Sequence, residues 1–249
     1  MGDRTRLFIT GAVALAAVGV TVTGHGLWST VLHNNGSYSF AIPLSQLRNF
    51  DGITVEGPDD VVVTPGDHYA VTLEGDKDAA RYMNLYVKDG VLHVGRRSHE
   101  GWFGSLNSNV TVHVTMPGLS RLWLAGSGDL KLERFEGKEL RALIVGSGNL
   151  DAENVKAQNV LVTVRGSGDA EMKGTTRALT VDVAGSGNVS FDDLAAETAA
   201  ITVHGSGDVE ARATKNATLE VAGSGDAHVS GTTMCQINKS GSGDAECTT

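Results

Sequence analysis

From about residue 120 onward, apolar and polar residues alternate along the chain, and the alternation is interrupted at near-constant intervals. The tetrapeptide Gly-Ser-Gly-Asp/Asn occurs seven times, with its first glycine at Gly126, Gly146, Gly166, Gly185, Gly205, Gly223 and Gly241. The spacings are 20, 20, 19, 20, 18 and 18 residues. Two residues before each tetrapeptide stand Leu124, Ile144, Val164, Val183, Val203, Val221 and Lys239, so the column is apolar with one exception. Four before stand Leu122, Ala142, Val162, Val181, Ile201, Leu219 and Ile237, and the position between is mixed and mostly polar. After the tetrapeptide, Leu130, Leu150, Ala170, Val189, Val209, Ala227 and Ala245 open a second apolar column. A period of two is the signature of a strand with one buried face. Each repeat therefore reads as strand, turn, strand and a polar connection such as residues 133–139 or 192–198.

A unit of 18–20 residues cannot bury its apolar face alone, but stacked units can. The predicted fold is all-β: a right-handed parallel β-helix, that is, a single-stranded β-solenoid with 18–20 residues per coil. Seven coils at the strand spacing make a rod of roughly 34 Å. The right hand follows from the preference of parallel crossovers, and the six-residue subrepeat of left-handed acyltransferase helices is missing. The corner glycines Gly126, Gly128, Gly146, Gly148, Gly166, Gly168, Gly185, Gly187, Gly205, Gly207, Gly223, Gly225, Gly241 and Gly243 are expected to supply the positive φ of a tight corner.

Residues 49–118 are also β in pattern. Ile53/Val55, Val61/Val63 and Val71/Leu73 alternate with polar residues, as do Val110, Val112, Val114 and Met116. Asp89-Gly90 predicts a hairpin turn, and Asp76 is placed to cap a short helix within 76–83. These strands read as irregular first coils of the same solenoid, giving one domain over 49–249.

Ahead of it, Arg4 and Arg6 precede a stretch from Leu7 to Leu47 with no Asp, Glu, Lys or Arg. Residues 1–28 read as a hydrophobic helix, either an uncleaved signal anchor in the inner membrane through residues 7–28 or a cleaved signal peptide. Both export the remainder, with residues 29–48 as a linker. The net charge of −9 argues against a nucleic-acid partner. Aromatics are 5% of the chain, so the core must be built from small and β-branched side chains. In an exported chain, Cys235 and Cys247 are expected to form a disulfide that closes the last coil, the alternative being two buried thiols.

Candidate chemistry is sparse. The fourth corner position reads Asp129, Asn149, Asp169, Asn188, Asp208, Asp226 and Asp244. Calcium-binding nonapeptide repeats offer one reading of Asp129, Asp169, Asp208, Asp226 and Asp244 as metal ligands. The two asparagines favour the other, turn stabilisation by side-chain hydrogen bonds, with Ser127, Ser147, Ser167, Ser186, Ser206, Ser224 and Ser242 bonding coil to coil. Asp151 and Glu171 are expected on adjacent coils about 5 Å apart, the separation of a retaining glycosidase pair, with Glu210 extending the stripe. A solvated face is the simpler reading, because no Arg/Lys cluster on that column completes a lyase site. Arg165 and His204 occupy equivalent outward positions. Trp102-Phe103, in a glycine-flanked loop, either contact a ligand or cap the first coil. Neither a phosphate-binding fingerprint nor a nucleophilic triad is present, and no cofactor is implied.

With these motifs in place, residues 48–249 resemble the putative auto-transporter adhesin, head GIN domain family. The resemblance rests on Asn49-Phe50-Asp51-Gly52-Ile53, Asp89-Gly90-Val91-Leu92, residues 112–117 and the train of corners. It implies a right-handed, pectate-lyase-like β-helix with Gly-Ser-Gly repeats turning between sheets, and a role in cell adhesion. It carries over no catalytic residues. The expectation is an exported, non-enzymatic adhesion or cell-envelope scaffold module with a protein or glycan partner. The alternatives are a carbohydrate-binding or carbohydrate-active protein using the outer face near Asp151, Glu171 and Trp123, and a self-associating envelope protein.

Overall fold

The computed structural model describes residues 29–32, 38–41, 47–97 and 110–249. The hydrophobic helix expected over 1–28, and Trp102 and Phe103, lie outside the described residues. Among the described residues no helix is long and apolar enough to cross a membrane.

The repeats form a β-solenoid of about six turns, since seven corners bound six intervals. Strands β9 (Arg121–Leu124) and β10 (Leu130–Leu132) flank the first Gly-Ser-Gly corner. The long strands β11 (Phe135–Ile144), β12 (Leu150–Val164), β13 (Ala170–Val183), β14 (Val189–Gly205) and β15 (Val209–Gly223) stack in parallel above them. The register is the one that the repeats dictate, with Leu150 opposite Ala170 and Val162 opposite Val181. Both apolar columns are buried over most of their length.

The connection between strands is not a loop. It is a third strand segment, with Phe135 opposite Val155 and Lys156 opposite Thr175. Two strands per coil leave one side of the core open, and Phe135, Val155, Leu194, Ala196 and Ala213 close it. Only one or two residues per coil point inward there, so the segment looks polar in sequence. A bulge between Ala152 and Val155 turns the chain into this face. Asn154 takes φ 50° beside it, and its Nδ2 donates to the Glu133 carbonyl at 3.2 Å.

The corner glycines are needed for space rather than for φ. Only Gly205, Gly223 and Gly241 of the fourteen have positive φ. Instead, a Cβ on each would come within 3.0 Å of backbone in the preceding coil, usually the carbonyl oxygen of the equivalent glycine. That carbonyl accepts the corner N–H groups of the next coil: Ser147 N and Gly148 N both donate to Gly126 O, at 3.1 and 3.2 Å. The serine hydroxyls are exposed and make no hydrogen bond among the described residues; it is the serine N–H that bonds coil to coil.

The N-terminal region joins the same sheet system but is not a series of irregular coils in chain order. β3 (Gly52–Val55) and β4 (Asp60–Pro65) form a coil lying between two others. Gly52 pairs with Arg121 on one side and with Val91 on the other, while Val61 pairs with Leu130 and Val112. The lower coil is made of β7 (Val91–Arg96) and β8 (Val110–Met116). β5 (Ala70–Gly75) and β6 (Met83–Lys88) then run antiparallel to β8 and β7. The Asp89-Gly90 hairpin forms with φ 52° and 74°. Helix α1 (Lys77–Ala80) is capped by Asp76, whose Oδ1 accepts from Asp78 N at 2.9 Å and Ala79 N at 2.8 Å.

Within the segment expected as a linker, β1 (Ser29–Leu32) and β2 (Tyr38–Ala41) pair antiparallel, and β2 pairs with β5. The reason is an edge: without β2, one side of β5 would present unpaired N–H and C=O groups.

Residues 57–60 form a corner that lacks the Gly-Ser-Gly signature. Ser127 N and Gly128 N donate to Gly57 O at 3.1 and 3.0 Å, as the serine and second glycine do in most later corners. Here Asp59 stands where glycine stands elsewhere, and it is 1% exposed. Arg96 clamps it, Nε to Oδ2 at 2.7 Å and an Nη to Oδ1 at 2.5 Å, while Val110 N donates at 3.1 Å. The Asp59 carboxylate holds the Arg96 pKa above its usual value.

At the other end, β16 (Ala227–Ser230), β17 (Cys235–Gly241) and β18 (Ala245–Thr248) complete the stack. Cys235 and Cys247 form a disulfide with Cα atoms 6.3 Å apart, and both are partly buried against the core. Lys239, the one charge in its column, bonds Asp244 at 2.8 Å. A lysine on the core-side column of a terminal strand obstructs strand addition.

Candidate functional site

The corner acids form a hydrogen-bonded ladder along the rod. Asp129 N donates to Asp60 Oδ1 at 3.0 Å, Asn149 N to Asp129 Oδ1 at 2.8 Å and Asp169 N to Asn149 Oδ1 at 2.9 Å. Asn188 N donates to Asp169 Oδ1 at 2.7 Å and Asp208 N to Asn188 Oδ1 at 3.1 Å. Asp226 N donates to Asp208 Oδ1 at 2.9 Å, and Asp244 N to Asp226 Oδ1 at 2.6 Å. Each step uses one side-chain oxygen as an acceptor, a role that the amide of Asn fills as well as a carboxylate. This is the physical reason for the Asp/Asn interchange. Among the described residues, no group of three or more His, Cys, Asp or Glu side chains is arranged to hold a metal ion.

The ladder makes a prediction that separates it from calcium binding. Asp169→Ala removes one acceptor from an exposed N–H and should cost about 1 kcal/mol. Asp169→Asn should stay within about 0.5 kcal/mol. Thermal unfolding with calcium or with chelator should give one melting temperature. A drop on chelation contradicts the ladder as the sole role of these residues.

Beyond the corner lies the acid stripe. Asp151 and Glu171 are register partners on adjacent coils. Together with Asp60, Asp129, Lys131 and Asp169 they line a shallow groove of about 590 Å³. Two lysines stand beside the acids, Lys131 within the column and Lys173 two residues on from Glu171. Lys131 Nζ lies 3.0 Å from Glu153 and 3.7 Å from Asp151, and Lys173 Nζ lies 2.6 Å from Glu171. Hydrogen bonding to Glu153 holds the Lys131 pKa above its usual value, and Glu171 does the same for Lys173. These lysines pair with the acids of the stripe at its exposed surface. Further along, Glu210, Asp226, His228 and Glu246 line a second groove of about 620 Å³, with His228 Nδ1 2.9 Å from Glu246.

Trp123 is not part of this stripe. It precedes its corner, while the stripe residues follow theirs, so the two lie on different faces of the rod. Trp123 instead shares a groove of about 420 Å³ with Arg121, Arg141, Leu143, Leu161, Thr163 and Arg165. Sequence reasoning found Arg165 as an outward residue but did not place it with Trp123. The signal was available, because Arg165 is two coils on in the register that the corners define. His204, its equivalent two coils further, pairs in register with Ala222 and lines neither groove.

Residues 49–233 match the family described as putative auto-transporter adhesin, head GIN domain. The chain belongs to this family. No curated protein matches it. Among solved structures, a putative adhesin from Bacteroides fragilis is similar at 20% identity and a TM-score of 0.78, covering 87% of this chain and 98% of its own. A putative lipid binding protein from Parabacteroides distasonis matches at 22% identity and 0.66, covering 86% and 97%. A putative adhesin from Parabacteroides merdae matches at 18% and 0.63, over 86% and 97%. At these identities the likeness is one of fold. Within this head GIN domain, the three grooves described above lie on the outer surface of the stacked coils.

Proposed function

We propose that this head GIN domain is an exported adhesion module that acts by holding a partner rather than by converting a substrate. The observation that carries the reading is the engagement of the outward acids. Glu171 bonds Lys173, Asp151 and Glu153 face Lys131, and the corner acids support one another's backbone. A glycosidase pair needs one carboxyl free to give a proton and another free to attack or to activate water. Both candidates are about half exposed, at 45% and 52%, and share one solvated, lysine-paired setting, so nothing sets one apart as the acid and the other as the base. Membership of an adhesin-like family, and neighbours described as adhesins, support the same reading. The apolar character of residues 7–28 is what supports tethering to the inner membrane. Lys239 at the end of the rod weighs against end-to-end self-assembly.

The test compares cells that make the full chain with cells lacking it, scored for retention on a partner-coated surface under flow. The expected result is retention that requires the chain and leaves the coating chemically unaltered. Cleavage of the coating by the purified chain would overturn the reading.

A further inference from the structure

We infer that the sheet face around Trp123 is the docking site for an acidic protein partner, one that presents an apolar side chain ringed by carboxylates. The inference rests on the adhesion reading above. Trp123 is 48% exposed and Val145 43%, so two large apolar side chains stand on the outer face here. Register places Trp123, Leu143 and Thr163 side by side on β9, β11 and β12. Arg121 and Arg141 form the adjacent row on one side, and Val145 and Arg165 lie on the other, towards the corner. The apolar centre is therefore bracketed by guanidinium groups. That is the anatomy of a protein interface, with an apolar core and a charged rim. Tryptophan and arginine are also the residue types that most often dominate binding energy.

Charge points to the sign of the partner. The chain carries a net charge of −9, yet three arginines and no acid line this groove. Arg121 bonds Asp51 and Arg141 bonds Glu139, both at 2.6 Å and both exposed. Exposed pairs of this kind contribute little and exchange readily. Arg165 has no ion-pair partner among the described residues, so it is available to a partner's carboxylate. Strands β9 and β11 are paired on both sides, so an added strand has no edge here and recognition must use side chains.

The aliphatic surround favours a protein over a glycan. Leu143, Val145 and Leu161 would desolvate sugar hydroxyls and return no hydrogen bonds, which is costly. An apolar side chain loses nothing there. The patch is smaller than the roughly 800 Å² per partner of a standard interface, so it forms the centre of a wider contact.

The test uses the full chain and defined probes: immobilised Asp/Glu-rich peptides with one central Phe, the same peptides with Ala for Phe, and the same with Lys for the acids. Polygalacturonate serves as the glycan arm. Trp123→Ala and the double variant Arg141→Glu/Arg165→Glu alter exposed residues, and an unchanged unfolding midpoint confirms that both fold. The expected result is salt-sensitive binding of the acidic Phe peptide. It should weaken at least about tenfold with either variant or with the Ala peptide. Equal binding of the acidic and basic peptides, or binding untouched by both variants, overturns the proposal. Polygalacturonate binding that Trp123→Ala abolishes, without peptide binding, reassigns the face to a glycan and leaves the adhesion reading standing. Failure of the adhesion reading shows separately, as cell retention that persists without the chain.

Discussion

Gly168→Ala should lower the unfolding free energy by at least about 3 kcal/mol, more than ordinary overpacking costs, because the obstacle is backbone. The added Cβ meets the Gly148 carbonyl of the preceding coil, with Ile144 Cγ2 only 3.0 Å away. Gly168 does not have positive φ, so the loss cannot come from an unfavourable backbone conformation. The two coils must separate at the corner. That lengthens the bond from Ser167 N to Gly146 O, now 3.2 Å, and the bond from Asp169 N to Asn149 Oδ1, now 2.9 Å. Ser167→Ala is the control. Its hydroxyl is exposed and unbonded among the described residues, so the change should stay within about 0.5 kcal/mol. Urea unfolding of the two variants decides the matter. A Gly168→Ala loss no larger than that of Ser167→Ala would show that the corners are not held by close approach.

The second large effect is expected at the other end of the rod. Arg96→Ala leaves Asp59, 1% exposed, with the Val110 N–H as its remaining hydrogen-bond donor among the described residues. Removing one member of a buried ion pair typically costs about 3–5 kcal/mol, because the survivor keeps its desolvation penalty. Arg96→Lys should recover only part of this, since an ammonium cannot reproduce the two-bond fork. The check is the urea midpoint of both variants at fixed pH. A loss below about 1 kcal/mol for Arg96→Ala would mean that the pair is solvated and does not organise the first corner.

What could be read from sequence follows from repetition. Seven corners in near-constant register reinforce one another, so the strands, the inward columns and the stacking were all legible. Two local signals also sufficed, the Asp76 cap and the Asp89-Gly90 turn. The third face was harder to see, because a segment with one inward residue, such as Val155 or Leu194, has no period to detect. The role of the corner glycines was misread because local turn chemistry says nothing of a carbonyl in the coil below. Asp59–Arg96 was out of reach for a different reason. It depends on the β3–β4 coil being inserted between coils that follow it in the chain, a non-local arrangement that no spacing announces. Trp123 was grouped with Asp151 and Glu171 because a linear column count ignores the turn between faces.

The most direct test of the account separates holding from chemistry on the intact cell. Cells lacking the chain are complemented with the full-length Asp151→Asn/Glu171→Gln variant and scored for retention under flow. The account predicts the retention seen with the unaltered chain, because holding the partner does not use these solvent-exposed carboxylates. Retention lost at equal levels of folded protein would contradict it and move function to the acid stripe.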